Sequence, residues 1–250
     1  KMIFSLHWIA MWWAVVGKFW DVLVDLRNSP MSVPLAAAKR FRFVRKREPE
    51  HRVLQLAAVM GLSEEPPTPS IWFSPQARAT AKALIPKGGL VLAVGPTANW
   101  QAKIWRAEYF VDLIERLSGP GGILPGARVA VFGRDDERPM ALRVIDAVPE
   151  DRRIDLVGRI GLLEAGACLE RAQFYVGNDS GLMHLAAAAG VPTLGLFGPS
   201  LEELYAPWGP LCAIARADKS FNEIFPPNFD HRATGTLMDS LTVDKVEKAA

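Results

Sequence analysis

From residue 90 onward, short apolar runs alternate with amphipathic stretches. Leu90–Val94, Arg128–Phe132, Ile154–Val157, Phe174–Val176 and Thr193–Phe197 have the length and hydrophobicity of strands buried on both faces. Between them, Ala107–Leu117, Asp136–Ala147 and Leu162–Arg171 read as helices. In the first of these Phe110, Leu113, Ile114 and Leu117 share one face. Strands and helices alternating at this interval predict a parallel sheet with right-handed crossovers. The segment 174–200 is the centre of the pattern. Gly177 closes a strand, and Asn178, Asp179 and Ser180 are all good helix N-caps. Gly190 ends the following helix, and Pro192 prevents its continuation.

The first third of the chain is less regular. Met2–Val16 is apolar and carries Trp8, Trp12 and Trp13, but falls short of the ~20 residues a membrane span needs, so it predicts a buried or interface helix. Asp21–Arg27 reads as a buried strand ending in the turn Asn28-Ser29-Pro30. Lys39–Arg47 holds six basic residues in nine, with Phe41 and Phe43 interleaved. That suits either a solvated edge strand or a surface that meets anionic groups such as lipid phosphates. A helix is expected over His51–Met60, stopped by Gly61. The three prolines in Glu64–Ser70 exclude regular structure. A short helix over Pro75–Leu84 follows. A domain boundary near residues 85–90 divides the chain into 1–88 and 89–250. The tail reads as loop-rich through Pro226-Pro227, with a last helix from Val243.

Composition changes this picture little. Half of the 250 residues are hydrophobic, enough for one large or two smaller α/β domains, and a net charge of +2 does not argue for nucleic acid. Cys168 and Cys212 form no C-x-x-C pair and no cluster of zinc spacing. A reduced, cytoplasmic setting without a structural metal is expected.

Candidate chemistry lies in the loops after the strands, which share one edge of such a sheet. Gly95–Trp105 supplies the Thr97 hydroxyl and the Lys103 ammonium, while Trp100 and Trp105 suit packing equally well. Gly133-Arg-Asp-Asp-Glu137 places acids after the next strand, as a ribose partner or as helix-dipole acids. Gly198-Pro-Ser200 is a further loop on that edge. Ser180 and His184, four apart, share a helix face. Together these describe a site for a nucleotide diphosphate, although Asn178–Ser180 would also serve as plain caps and His184 as a structural histidine. Neither G-x-G-x-x-G nor a P-loop is present, which disfavours a dehydrogenase or an NTPase.

Gly177-Asn-Asp-Ser-Gly-Leu-Met-His184, its alanine-rich helix and Leu196-Phe-Gly-Pro-Ser200 resemble glycosyltransferase family nine, the ADP-heptose:lipopolysaccharide heptosyltransferases. The loop Thr97–Trp105 and Tyr205-Ala-Pro-Trp-Gly209 also resemble that family. The likeness is good over residues 90–210 and looser over 21–29 and 51–61. It implies an α/β GT-B fold, with two Rossmann-like domains flanking the active site and the N-terminal one incomplete. It also implies inverting transfer of a sugar, heptose above all, from an ADP-sugar to a lipopolysaccharide-core or related glycan acceptor, without a metal or other cofactor. Thr97 and Lys103 would hold the donor phosphates, with Lys103 stabilising the leaving group, and Asp135 the ribose. Asp179, Ser180, Gly181 and His184 would line the donor. The family's first strand and its aspartate-bearing loop have no counterpart here, and Asp21 and Asp25 are poor substitutes. The general base is therefore expected outside these residues. Nucleotide sugar and a phosphorylated lipid or oligosaccharide are the expected partners, with peripheral inner-membrane contact through residues 39–47 and no nucleic acid. A sugar-nucleotide 2-epimerase or a non-catalytic nucleotide-binding module are the alternatives.

Overall fold

The computed structural model describes residues 3–44, 49–219, 221–224 and 235–250. They fall into two compact units, 1–67 and 68–250.

The first unit holds α1 (Ile3–Val15), β1 (Phe19–Asp25), β2 (Ala36–Arg42) and α2 (Arg52–Val59). β1 and β2 pair in parallel, from Phe19 opposite Ala36 to Asp25 opposite Arg42. Asp25 builds the turn between them. Its carboxylate accepts from Arg27 N (3.0 Å), Ser29 N (2.7 Å) and Ser32 Oγ (2.6 Å), while Asn28 takes a left-handed conformation. His51 caps α2 by accepting from Val53 N. One expectation fails here. β1 is not buried, since Phe19, Val22 and Val24 are exposed. The reason is simple: its sheet has only two strands. Ile9, Met11 and Trp13 of α1 are exposed as well, as an interface helix allows. Of the basic stretch 39–47, β2 takes residues up to Arg42, while 45–48 lie outside the described residues. No helix of the described residues is long and apolar enough to cross a membrane.

In chain order, the second unit runs α3 (Pro75–Leu84), β3 (Val91–Gly95), α4 (Ala107–Ser118), β4 (Arg128–Val131), α5 (Arg138–Ala147) and β5 (Arg153–Asp155). It continues with α6 (Leu162–Leu169), β6 (Phe174–Asn178), α7 (Gly181–Ala188), β7 (Thr193–Phe197), α8 (Glu202–Tyr205), β8 (Cys212–Arg216), α9 (Phe221–Ile224) and α10 (Val243–Ala249). All strand pairs are parallel, in the order β5-β4-β3-β6-β7-β8. Each face of the sheet has its own core. Leu92 and Val94 of β3 meet Trp105, Phe110 and Leu113, with Val144 of α5 and Val246 of α10. Val91 and Ala93 meet the opposite core, built from α3, α6 and α7.

α3 explains why the division falls before residue 68 and not near 85–90. Ala77 and Ala81 are fully buried in the second core, and small side chains let this helix lie close against α6. β8 was hidden in a stretch expected to be loop. As an edge strand it mixes half-buried, exposed and buried positions, and Arg216 breaks its apolar run.

At the end of β5, Asp155 receives Arg138 Nη2 at 2.6 Å, Arg159 at 2.9 Å and Val157 N at 3.1 Å. Burial works against its charge, but the hydrogen bonds from Arg138 and Val157 and the Arg159 charge outweigh it, holding the carboxyl below the usual range. Such a group adds stability that is complete above its unfolded pKa, about 3.9. That stability is lost as pH falls through the lower folded value. Urea unfolding against pH should therefore show stability falling from near pH 4 downward, and Asp155→Asn should flatten part of that fall.

Candidate active site

The order of strands reverses between β3 and β6. Their outgoing chains leave toward opposite faces, and such a switch point opens a crevice at the C-terminal edge of the sheet. A cavity of about 730 Å³ lies there, lined by residues of the loops after β3, β4, β5 and β6. Thr97, Lys103, Asp135, Asp179, Ser180, Gly181 and His184 all line it.

The loop after β3 is held from below. Trp105 is fully buried, donates its backbone N–H to Asn178 Oδ1 (3.0 Å) and its indole N–H to the Leu241 carbonyl (2.7 Å), and packs edge-on against Phe110. It is a core residue and does not line the cavity. A 3-10 turn over Gln101–Lys103 then directs Lys103 back to the sheet edge. Its Nζ lies 2.6 Å from Asp179 Oδ2. Asp179 is buried and Lys103 partly so, and removing either partner would strand the other charge in a poorly hydrated place.

Ser180 is the N-cap of α7, but its side chain makes no capping bond. The first-turn N–H groups therefore keep the positive end of the helix dipole directed at the cavity. A Cβ on Gly181 would meet nothing within 4 Å, so the space beside this residue is open. His184 follows one turn later, exposed.

The loop after β4 forms a 3-10 turn, Asp135–Glu137. Asp135 is exposed, and its carboxylate makes no hydrogen bond among the described residues. Gly158, with φ +71°, passes so close that a Cβ there would lie 2.7 Å from Asp135 Oδ1. Thr97 differs from expectation. Its hydroxyl is buried and donates to Glu137 Oε2 at 2.9 Å, and that oxygen also accepts from Arg134 N at 2.9 Å. Thr97 thus ties two loops together, and a phosphate would have to compete with a carboxylate for its proton.

Sequence reasoning missed Glu137 as the buried acceptor between these loops. It also missed the apolar wall of Leu156, Ile160, Leu162 and Ala165. The apolar run Ile160-Gly161-Leu162 between a strand and a helix was the available signal. The loop Gly198–Ser200 and the segment Tyr205–Gly209 do not line the cavity. Asp25 is committed to its own turn. Among the described residues no group of His, Cys, Asp and Glu is arranged to hold a metal ion. The lining suits a ligand with a flat apolar end, hydroxyls and an anionic centre.

The architecture is α/β with parallel sheets, of the GT-B type. The crystal structure of a family 9 glycosyl transferase from Veillonella parvula superposes with a TM-score of 0.74 at 18% identity, over 92% of this chain and 72% of that one. E. coli ADP-heptose lps heptosyltransferase II gives 0.69 at 19% identity, over 91% and 74%. E. coli heptosyltransferase WaaC with ADP gives 0.64 at 20%, over 99% and 77%. A model of glycosyltransferase family 9 (heptosyltransferase) matches residues 24–223, and the chain belongs to that family. Among curated relatives, lipooligosaccharide heptosyltransferase 2 of Haemophilus influenzae is 34% identical over 118 residues, 46% of this chain and 33% of that protein. Lipopolysaccharide heptosyltransferase 2 of Salmonella typhimurium is 24% identical over 176 residues, 66% and 49%. The matched stretches span a third to a half of these relatives.

Thr97→Val keeps the shape but removes the proton that Glu137 accepts. It should cost about 1–3 kcal/mol in urea unfolding, the usual cost of a buried charged acceptor losing a partner.

Proposed function

We propose that residues 68–250 bind the nucleotide-sugar donor of a heptosyltransferase, and that the protein moves heptose from ADP-heptose to a lipopolysaccharide-core or related glycan acceptor. The observation that carries this reading is the convergence on one cavity of the Lys103–Asp179 pair and the α7 N-terminus, which Ser180 leaves uncapped. The family match and the ADP and ADP-2-deoxy-2-fluoro heptose in two E. coli heptosyltransferase structures supply the chemistry to expect.

In this reading Lys103, the first-turn N–H groups of α7 and Ser180 take the diphosphate. Asp135 accepts from the ribose hydroxyls, and Leu156, Ile160, Leu162 and Ala165 cover the base. Asp179 holds Lys103 in place and, with His184, faces the sugar, while Gly181 leaves it room. Thr97 acts indirectly, by fixing Glu137 and the loop after β4. The acceptor hydroxyl attacks the anomeric carbon opposite the diphosphate and inverts it. The bond to the ADP oxygen breaks with its electron pair, and Lys103 and the helix N-terminus stabilise the charge that develops there. This division of labour asks for no metal. The acceptor proton goes to a general base. The unit 1–67 belongs to the acceptor side, with the exposed Lys39 available to a phosphorylated lipid at the inner face of the inner membrane.

Calorimetric titration of the 250-residue chain with ADP, UDP and GDP tests the donor site. ADP should bind in preference, without loss of affinity in EDTA. Lys103→Ala should weaken it roughly 10- to 100-fold, as expected for a lost charge-assisted hydrogen bond. A preference for UDP or GDP would change the donor, and no binding by a folded chain would refute the site. Gly181→Val should leave thermal unfolding nearly unchanged and still weaken ADP, because its side chain enters open space. Transfer of labelled heptose to a lipid acceptor separates an enzyme from a non-catalytic binding module.

A further inference from the structure

Tyr175 is fully buried in β6, yet its hydroxyl has no hydrogen-bond partner among the described residues. The path of its side chain is set by two glycines. Gly95 of β3 and Gly177 of β6 lie opposite each other in the sheet, and a Cβ on either would collide with the Tyr175 hydroxyl. Their missing side chains leave a slot through which the phenol runs toward the C-terminal edge. At its end the hydroxyl faces Ser180 without closing a hydrogen bond to it. Ser180 Oγ is likewise buried and unpartnered, makes no cap bond to its own helix, and belongs to a residue lining the cavity. Two hydroxyls meeting no other group are unusual, since each unmet buried polar group costs stability. A phenylalanine would fill the slot without that cost.

A hydroxyl has one proton to give and lone pairs to receive with. When an oxygen that can only accept, such as a phosphate oxygen, lies against Ser180, the Ser180 proton must point into the cavity. Its lone pairs then turn back toward Tyr175, whose proton has no other acceptor. Burial pushes the phenol well above its usual range, so it keeps that proton at ordinary pH. An anionic oxygen therefore satisfies both hydroxyls at once, whereas a neutral hydroxyl of a ligand gains no such preference.

We propose that Tyr175 is a positioning residue of the ligand site, donating to Ser180 Oγ and so aiming the Ser180 proton at an anionic oxygen of the ligand. The inference rests on the donor-site reading above. It assigns discrimination for charge to a residue that the ligand never touches.

Titration of the 250-residue chain with ADP and with adenosine provides the test. Tyr175→Phe should weaken ADP about five- to tenfold, the worth of one net hydrogen bond, and leave adenosine as in the wild type. Ser180→Ala should weaken ADP at least as much, and Tyr175→Phe in that background should add nothing. Thermal unfolding of each variant establishes that it is folded. An unchanged ADP affinity in Tyr175→Phe would overturn the inference. So would an effect of equal size with and without Ser180, or one shared by adenosine, since Tyr175 would then be a packing residue. A wild type that binds no ADP would instead sink the donor-site reading. Pyrophosphate in place of ADP would then test the pair by itself, and no binding of that probe would end the inference as well.

Discussion

Inside the core, Trp105 gives its backbone N–H to the side-chain carbonyl of Asn178, a residue 73 positions away in sequence. Both residues are fully buried, so neither group has water as an alternative, and the bond is costly to leave unmade. It fastens the loop leaving β3 to the last residue of β6. Lys103 stands two residues before one end of this fastening and Asp179 one residue after the other. Their ion pair is therefore the surface expression of a neutral bond beneath it. The indole N–H on Leu241 secures the same tryptophan from the opposite side, so the lysine stands on a rigid base.

That base matters for the electrostatics. A lone lysine on a surface loop is a mobile, well-hydrated charge with substantial rotamer freedom. Lys103 instead arrives already directed by a buried carboxylate, and less of its freedom remains to be lost on binding an anion. The positive end of α7 adds fixed dipoles that need no reorganisation. Asp179 moderates the field by offsetting part of the positive charge that Lys103 brings to the cavity.

The sheet from β3 to β7 was legible because its signals are local. Continuous apolar runs, capping residues and glycine stops in 90–200 mark strands and helices within a residue or two of where they lie. The convergence of Lys103, Asp135 and Asp179 on one edge followed from topology alone. What escaped depends on partners distant in sequence. β8 has an edge strand's mixed pattern, and α3 joins its core through two alanines that carry no hydrophobic period of note. The commitment of Thr97 to Glu137 is a contact across 40 residues. Tyr175 read as one more apolar strand residue, since nothing local shows that Gly95 stands opposite Gly177. β1 was misjudged in the other direction: an apolar run reports what a strand could bury, and only its neighbours decide whether it does.

The parallel pairing of β3 with β6 has a consequence for how the cavity comes into being. The chain between these strands must first complete two further strands and three helices on one flank of the sheet, so every polar contact joining the two loops is non-local. Contacts of this separation form late, after their loop-closure entropy has been met by the rest of the sheet. A growing chain without β6 lacks the side of the pocket that Asp179, Ser180 and the start of α7 supply. Occupancy therefore reports on completed folding, and a bound ligand stabilises the whole central sheet rather than one loop.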